Sequence, residues 1–153
     1  MGTDATTDAV ELIRLTDPSQ GVSVRLRSTT PSLQSQGIRY YDAEVTVTSG
    51  FVNGSVHLGF DSEDLAHLRE LLNLLEDSAD QFTPDDPFMA DWPHEGETAY
   101  LRLIGEDPYV IEVHDGTSSQ IVVSVPVDLN ENWVQEAKER LAAACAVLGE
   151  PQH

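Results

Sequence analysis

Twice along the chain, strand-like alternation gives way at an aspartate to a helical pattern. Residues 56–60 alternate between apolar and polar side chains up to Asp61, after which leucines recur three and four residues apart. Residues 121–127 alternate in the same way up to Asp128, and a second helical pattern follows. A period of two indicates a half-buried strand, and a period near 3.6 indicates an amphipathic helix. The chain therefore predicts an α+β fold.

Five further segments show the strand period, at residues 10–15, 22–26, 41–47, 101–103 and 109–113. The pattern thus predicts a two-layer domain in which about seven strands form one antiparallel sheet. Two amphipathic helices, residues 61–78 and 128–149, would cover one face of that sheet. Both halves run from hairpins to a helix, which indicates either an internal duplication or two unrelated strand-to-helix units.

Several single residues carry local predictions. Asp61 is expected to cap the first helix, because its side chain can accept a hydrogen bond from a free amide of the first turn. Asn53-Gly54 predicts a two-residue hairpin turn. Trp133 and Cys145 lie in or beside the apolar stripe of the second helix, so both are expected in the core.

The length of 153 residues is typical of one domain. We expect a flexible tail over residues 1–8 and a single domain over residues 9–149. The first residues carry acids where a signal peptide would be basic, and no apolar run approaches the length of a membrane span. Because Cys145 is the only cysteine, no internal disulfide can form. These features favour a cytoplasmic location and no membrane association.

Charge limits the partners of the protein. The chain has 27 acidic residues against 8 lysines and arginines, a formal net charge of −19. Such a surface repels nucleic acids and anionic lipids and attracts basic proteins. The sequence therefore predicts a basic protein partner and no nucleic acid, and it leaves the oligomeric state open.

Motifs for chemistry are missing from the sequence. The five histidines show no metal-ligand spacing, so no metal site is predicted. The chain has no G-x-S-x-G nucleophile elbow and no glycine-rich phosphate loop. We therefore assign no catalytic residues and no cofactor, and an enzymatic activity is the less favoured interpretation.

Residues 76–97 form the most unusual segment. They contain eight acids, three prolines and no lysine or arginine, and they show neither helical nor strand periodicity. We interpret them as a long acidic loop, and such loops are often functional. Asp85, Asp86 and Asp91 would steer a basic partner, and Phe88 and Trp92 would anchor it. The alternative is that the two aromatic residues fold back onto the sheet.

Two stretches carry a resemblance to a known family: YYDAEVTVTSGFVNGSVHL and VHDGTSSQIVVSVPVDLNENWVQEAKERLAAA. They resemble a family of short, acidic actinobacterial proteins classed as a domain of unknown function. The resemblance covers residues 9–148 and implies a shared fold unit and a bacterial setting. It implies no activity, so no functional residues can be transferred from it.

The leading hypothesis is a non-catalytic protein-binding module, such as an immunity protein, an antitoxin or an inhibitor that docks a basic partner. A second hypothesis is a small-ligand binder or an enzyme of unknown reaction, in which the charge only keeps the protein dissolved. A third is a structural subunit that associates with its own kind. Self-association of so acidic a chain requires an apolar patch that overcomes the repulsion.

Overall fold

A computed structural model describes residues 10–78, 82–83, 85–93, 98–116 and 119–151. The predicted tail, residues 1–8, lies outside the described residues, and so do parts of the predicted acidic loop. Nine strands and two helices are assigned within the described ranges.

The first half of the chain forms an antiparallel sheet of five strands: β1 (Glu11–Thr16), β2 (Gly21–Leu26), β3 (Leu33–Ser35), β4 (Ile38–Thr48) and β5 (Gly54–Asp61). Strands β1, β2, β4 and β5 are neighbours in that order. The short strand β3 pairs with the beginning of β4. Helix α1 (Ser62–Ser78) follows β5 directly.

The second half forms a separate antiparallel sheet of four strands: β6 (Met89–Trp92), β7 (Tyr100–Ile104), β8 (Tyr109–His114) and β9 (Val122–Val127). They are neighbours in the order β6-β7-β8-β9. Helix α2 (Trp133–Leu148) completes this half.

The structure confirms the α+β class, but the arrangement of strands differs from the prediction. The predicted single sheet of about seven strands is in fact two sheets, of five and four strands. Of the nine strands, β6 falls in the predicted acidic loop and β3 falls outside the segments that show the strand period. Alternation identifies which face of a strand is buried, but it does not identify the neighbouring strand, so one sheet and two separate sheets give the same pattern.

Both sheets and both helices contribute to one core. Helix α1 contacts β4 and β5 of the first sheet and β6 of the second, whereas α2 contacts β1 and packs against α1. Each helix therefore touches the first strand of the opposite half. The repeated order of four antiparallel strands and a helix supports the duplication hypothesis, although the first half carries the additional strand β3.

Local structure agrees with the sequence at the start of α1 and differs at the β4–β5 hairpin. Asp61 caps α1, because its carboxylate accepts a 2.9 Å hydrogen bond from the amide of Asp64. The predicted two-residue turn at Asn53-Gly54 is wrong, since pairing between β4 and β5 ends at Val47 and Gly54. The loop is longer because the Asn53 side chain hydrogen-bonds to the backbone of Ser49 instead of entering a tight turn.

Candidate functional site

The two predicted aromatic anchors lie in the core. Phe88 is 4% exposed and Trp92 is 3% exposed. The indole nitrogen of Trp92 donates a 2.8 Å hydrogen bond to the backbone carbonyl of Asp64, and its ring packs against Phe60. Phe88 packs edge to face against Phe82 at 5.2 Å. Phe88 and Trp92 are therefore both buried, as the alternative interpretation of the loop expected.

Strand β6 explains the burial of Trp92. Successive side chains of a strand point to opposite faces, so Trp92 faces the core while Asp91 faces away from it. The carboxylate of Asp91 accepts two hydrogen bonds from Arg102, at 2.7 and 3.1 Å. This pairing raises the pKa of the Arg102 guanidinium above its ordinary value. The charge of Asp91 is therefore compensated within the protein.

Asp85 and Asp86 are exposed. They belong to a short turn in which the backbones of Thr83 and Asp86 exchange hydrogen bonds of 3.2 and 3.0 Å. The structure thus leaves Asp85 and Asp86 exposed, whereas Phe88 and Trp92 are buried and Asp91 is paired with Arg102.

A cleft of about 380 Å³ lies beside this turn. It is formed by the end of α1, the segment before β6, the turn after β7 and the beginning of α2. Four aromatic residues contribute to its lining: Phe82, Phe88, Tyr109 and Trp133. The rings of Tyr109 and Trp133 meet edge to face at 5.2 Å.

Carboxylates surround the cleft. Glu76 and Glu131 line it, and further exposed acids lie on the segments that form it. We call these residues the acidic rim: Glu76, Asp77, Asp85, Asp86, Glu106, Asp107 and Glu131. Lys138 pairs with Glu76 at 2.6 Å, and no other ion pair among the described residues involves the acidic rim. The rim therefore retains most of its negative charge.

Three arginines are engaged in ion pairs away from the cleft. Arg14 and Arg25 both approach Glu11, and Arg39 pairs with Glu150. Because these arginines neutralise acids elsewhere, they do not reduce the negative charge of the acidic rim. An acidic, aromatic-lined cleft suits a long cationic side chain, which can contact ring faces and carboxylates at once.

A polar network crosses the outer face of the second sheet. His114 stacks on Tyr100 with a ring separation of 4.4 Å, and its Nε2 lies 2.9 Å from Glu112. Arg102 lies 3.9 Å from the same carboxylate. A histidine next to a carboxylate can transfer protons. None of these residues lines the cleft, so the network gives no indication of a substrate.

A small apolar cavity lies inside the protein, between the helices and both sheets. Its volume is about 70 Å³, and its lining is entirely apolar. Small-molecule sites usually measure about 300 Å³ or more and include placed polar groups. This cavity therefore reflects the packing of the core and gives no support to a small-ligand site.

The described residues contain no group of three or more histidine, cysteine or acidic side chains that could hold a metal ion. Cys145 is fully buried, as expected, and burial raises the pKa of its thiol. Within the same described ranges, neither α1 nor α2 combines the length and the apolar character that crossing a membrane requires.

Sequence reasoning missed Tyr109 and Glu131 as members of the site. Alternation in β8 placed Tyr109 on the same face as Ile111 and Val113, which predicted an inward ring. Nothing in the sequence connected that ring to the start of α2 or to the end of α1. These segments are distant in the chain, so the cleft exists only in the tertiary structure.

Comparison with known proteins yields one family. Residues 10–149 match the model of DUF5959, which is described as a family of unknown function. No curated protein matches the chain.

Proposed function

Since the chain belongs to DUF5959, whose function is not known, we propose a function from its own surface. The protein is a non-catalytic module that binds a basic protein in the bacterial cytoplasm. The cleft and the acidic rim form its docking site. An immunity protein, an antitoxin and an inhibitor of a basic enzyme all need such a docking site, because each of them binds a basic protein.

The cleft carries the proposal, because it combines aromatic rings with uncompensated carboxylates. The half-buried rings of Phe82 and Tyr109 offer apolar surface to the stem of a lysine or arginine side chain. Glu131 lines the same cleft and is exposed, so it can pair with the cationic head group. In such an arrangement, the rings provide contact area and the carboxylate provides specificity for a cation.

The acidic rim contributes to the rate of association. Opposite charges accelerate the encounter of two proteins, and physiological salt screens this attraction beyond about 8 Å. Asp85, Asp86 and Glu131 are therefore expected to act on a partner that approaches the cleft. Acids on more distant surfaces are expected to contribute less.

The experiment compares two variants that each remove three negative charges. The first, Asp85→Asn/Asp86→Asn/Glu131→Gln, changes the acidic rim. The second, Glu63→Gln/Glu70→Gln/Glu139→Gln, changes exposed acids of the helices and is the matched control. Basic proteins are captured on the wild-type protein from a bacterial lysate at low salt, identified and purified. Their association rates with all three proteins are then measured across a salt series.

We expect the rim variant to slow association about tenfold at low salt and to flatten the salt dependence. The control variant should change the rate by a much smaller factor. If both variants slow association equally, net charge alone is responsible and the docking site is wrong. If no basic protein is retained at low salt, the proposed partner class is wrong.

A further inference from the structure

A second, apolar groove lies away from the acidic cleft. It measures about 190 Å³ and is formed by the β4–β5 hairpin together with the facing ends of β8 and β9. Its apolar lining consists of valines and one isoleucine: Val45, Val47, Val52, Val56, Val113, Val123 and Ile121. Among the described residues that line it, Asp115 is the one charged side chain. On a chain of net charge −19, so little charge along a groove is a marked exception.

Phe51 projects from the same hairpin. Its side chain is 94% exposed, and the neighbouring Val52 lines the groove. A fully exposed phenylalanine contributes nothing to the core of its own chain. Exposed aromatic residues next to an apolar groove are typical of protein interfaces.

Hydrogen bonds hold the Phe51 loop in place. The Ser49 hydroxyl accepts bonds from the amides of Phe51 and Val52, at 3.1 and 2.7 Å, and donates to the carbonyl of Val52 at 2.8 Å. The Asn53 side chain accepts from the amide of Ser49 and donates to its carbonyl. Because this loop is braced, Phe51 stays in solvent instead of folding into its own groove. A side chain held in this way loses little conformational entropy when it binds.

We infer that a second copy of this chain occupies the groove. Phe51 of each copy inserts into the groove of the other, beside Ile121. A protruding ring and an apolar groove on one surface are self-complementary, which is the requirement for a two-fold symmetric interface. In such an interface, the contact made by Phe51 of one copy is repeated by Phe51 of its partner.

The exposed area supports a dimer of modest affinity. A buried phenylalanine ring contributes roughly 200 Å², and Ile121, with 62% of its surface exposed, adds to it together with Val52. In a two-fold symmetric dimer each side chain is buried twice, so these three side chains alone bury roughly 700 Å², which is the size of a weak, transient association. We therefore expect a dissociation constant in the high micromolar range.

Charge gives the dimer a characteristic salt dependence. Two chains of net charge −19 repel each other, and apolar contact must overcome this repulsion. Salt screens the repulsion without weakening the apolar contact, so the dimer should tighten as salt increases. Docking of a basic partner at the acidic rim should weaken under the same change. The two proposals can therefore fail independently.

Analytical ultracentrifugation of the full chain, from micromolar to millimolar concentration and at low and high salt, tests the inference. We expect a monomer–dimer equilibrium that tightens at least severalfold with salt. Phe51→Ser should weaken the dimer about tenfold or more. It should still fold, because Phe51 is exposed, and its thermal unfolding checks this. Leu33→Ser is the matched control, since Leu33 is 60% exposed on β3, which pairs with the opposite end of β4.

A wild-type protein that stays monomeric at millimolar concentration and high salt would overturn the inference. So would a dimer that Phe51→Ser leaves intact, because the contact would then lie on another surface. A dimer that loosens as salt increases would also overturn it, since that result indicates association through opposite charges.

Discussion

The phenolic oxygen of Tyr41 donates a 2.6 Å hydrogen bond to the carboxylate of Glu150, which lies 109 residues later in the chain. Arg39 donates to the same carboxylate oxygen at 2.7 Å. Gly149 adopts a left-handed conformation, and the amide of Glu150 bonds back to the carbonyl of Cys145. The end of α2 therefore turns Glu150 into the protein, where Tyr41 and Arg39 stabilise its buried charge.

Replacing Tyr41 by phenylalanine removes one of these two partners. We expect the free energy of unfolding to fall by about 1–3 kcal/mol, because the buried Glu150 carboxylate loses a donor. Denaturant unfolding measures the change. Tyr40→Phe is the control, since Tyr40 is more exposed and its hydroxyl makes none of these bonds. Equal stability of the two variants would show that the Tyr41–Glu150 bond contributes little.

The environment of Tyr41 predicts a loss of stability at alkaline pH. Burial, followed by the bond to Glu150, raises the pKa of Tyr41 from 10 to about 12. The folded state thus favours the neutral phenol. Its contribution to stability is complete below pH 10 and is lost as the pH rises towards 12. Tyrosinate formation can be followed by absorbance as the pH rises, and Tyr41→Phe should remove the tyrosinate signal that forms at the highest pH. If that signal is unchanged in the variant, the raised pKa does not belong to Tyr41.

We expect Trp92 to contribute to stability instead of to binding. Trp92→Phe removes the hydrogen bond to the carbonyl of Asp64 and leaves a small cavity beside Phe60. We expect a loss of about 2 kcal/mol in the free energy of unfolding. Met89→Ala on the same strand is exposed and should change it by less than about 0.5 kcal/mol. A stable Trp92→Phe protein with impaired partner binding would instead support the original anchor role.

Asp17 connects the two halves. Its carboxylate accepts hydrogen bonds from the amides of Asp128, Gln20 and Ser19, in order of their effect, and these bonds lower its pKa. The stability that Asp17 contributes is present above the ordinary aspartate pKa of about 4 and is lost as the pH falls further. Asp17→Ala should therefore destabilise the protein at pH 7 and match the wild type in strong acid. Thermal melts across pH, with the exposed Asp85→Ala as control, provide the measurement. A penalty for Asp17→Ala that does not change with pH would contradict this account.

The pKa of Asp64 is shifted in the opposite direction from that of Asp17, so its contribution to stability also changes with pH in the opposite direction. Burial raises its pKa, and the nearby Asp61 charge adds to that effect. A raised pKa means that the folded state favours the protonated carboxyl, so the contribution of Asp64 to stability is lost as the pH rises through its folded pKa. Asp64→Asn keeps an acceptor for the amide of Asp61 and removes the charge. We expect its melting temperature to exceed that of the wild type at pH 7 and to approach it in acid. A lower melting temperature at pH 7 would show that the charge stabilises the helix start.

The sequence alone was sufficient for the parts of the fold that depend on near neighbours in the chain. The change of period at Asp61 located α1, the alternation of residues 41–47 located the buried face of β4, and apolar spacing placed Trp133 and Cys145 in the core. These predictions succeed because a helix or strand repeats its environment every few residues.

Only the tertiary structure decided how these elements meet. It divided the strands into two sheets, buried Trp92 and exposed Phe51, and brought Tyr109 next to Glu131 in one cleft. Periodicity predicts whether a side chain is buried or exposed, but it does not identify the residues against which a buried side chain packs. The residues that line the cleft come from segments far apart in the chain, and the packing of both sheets and both helices around a shared core brings them together.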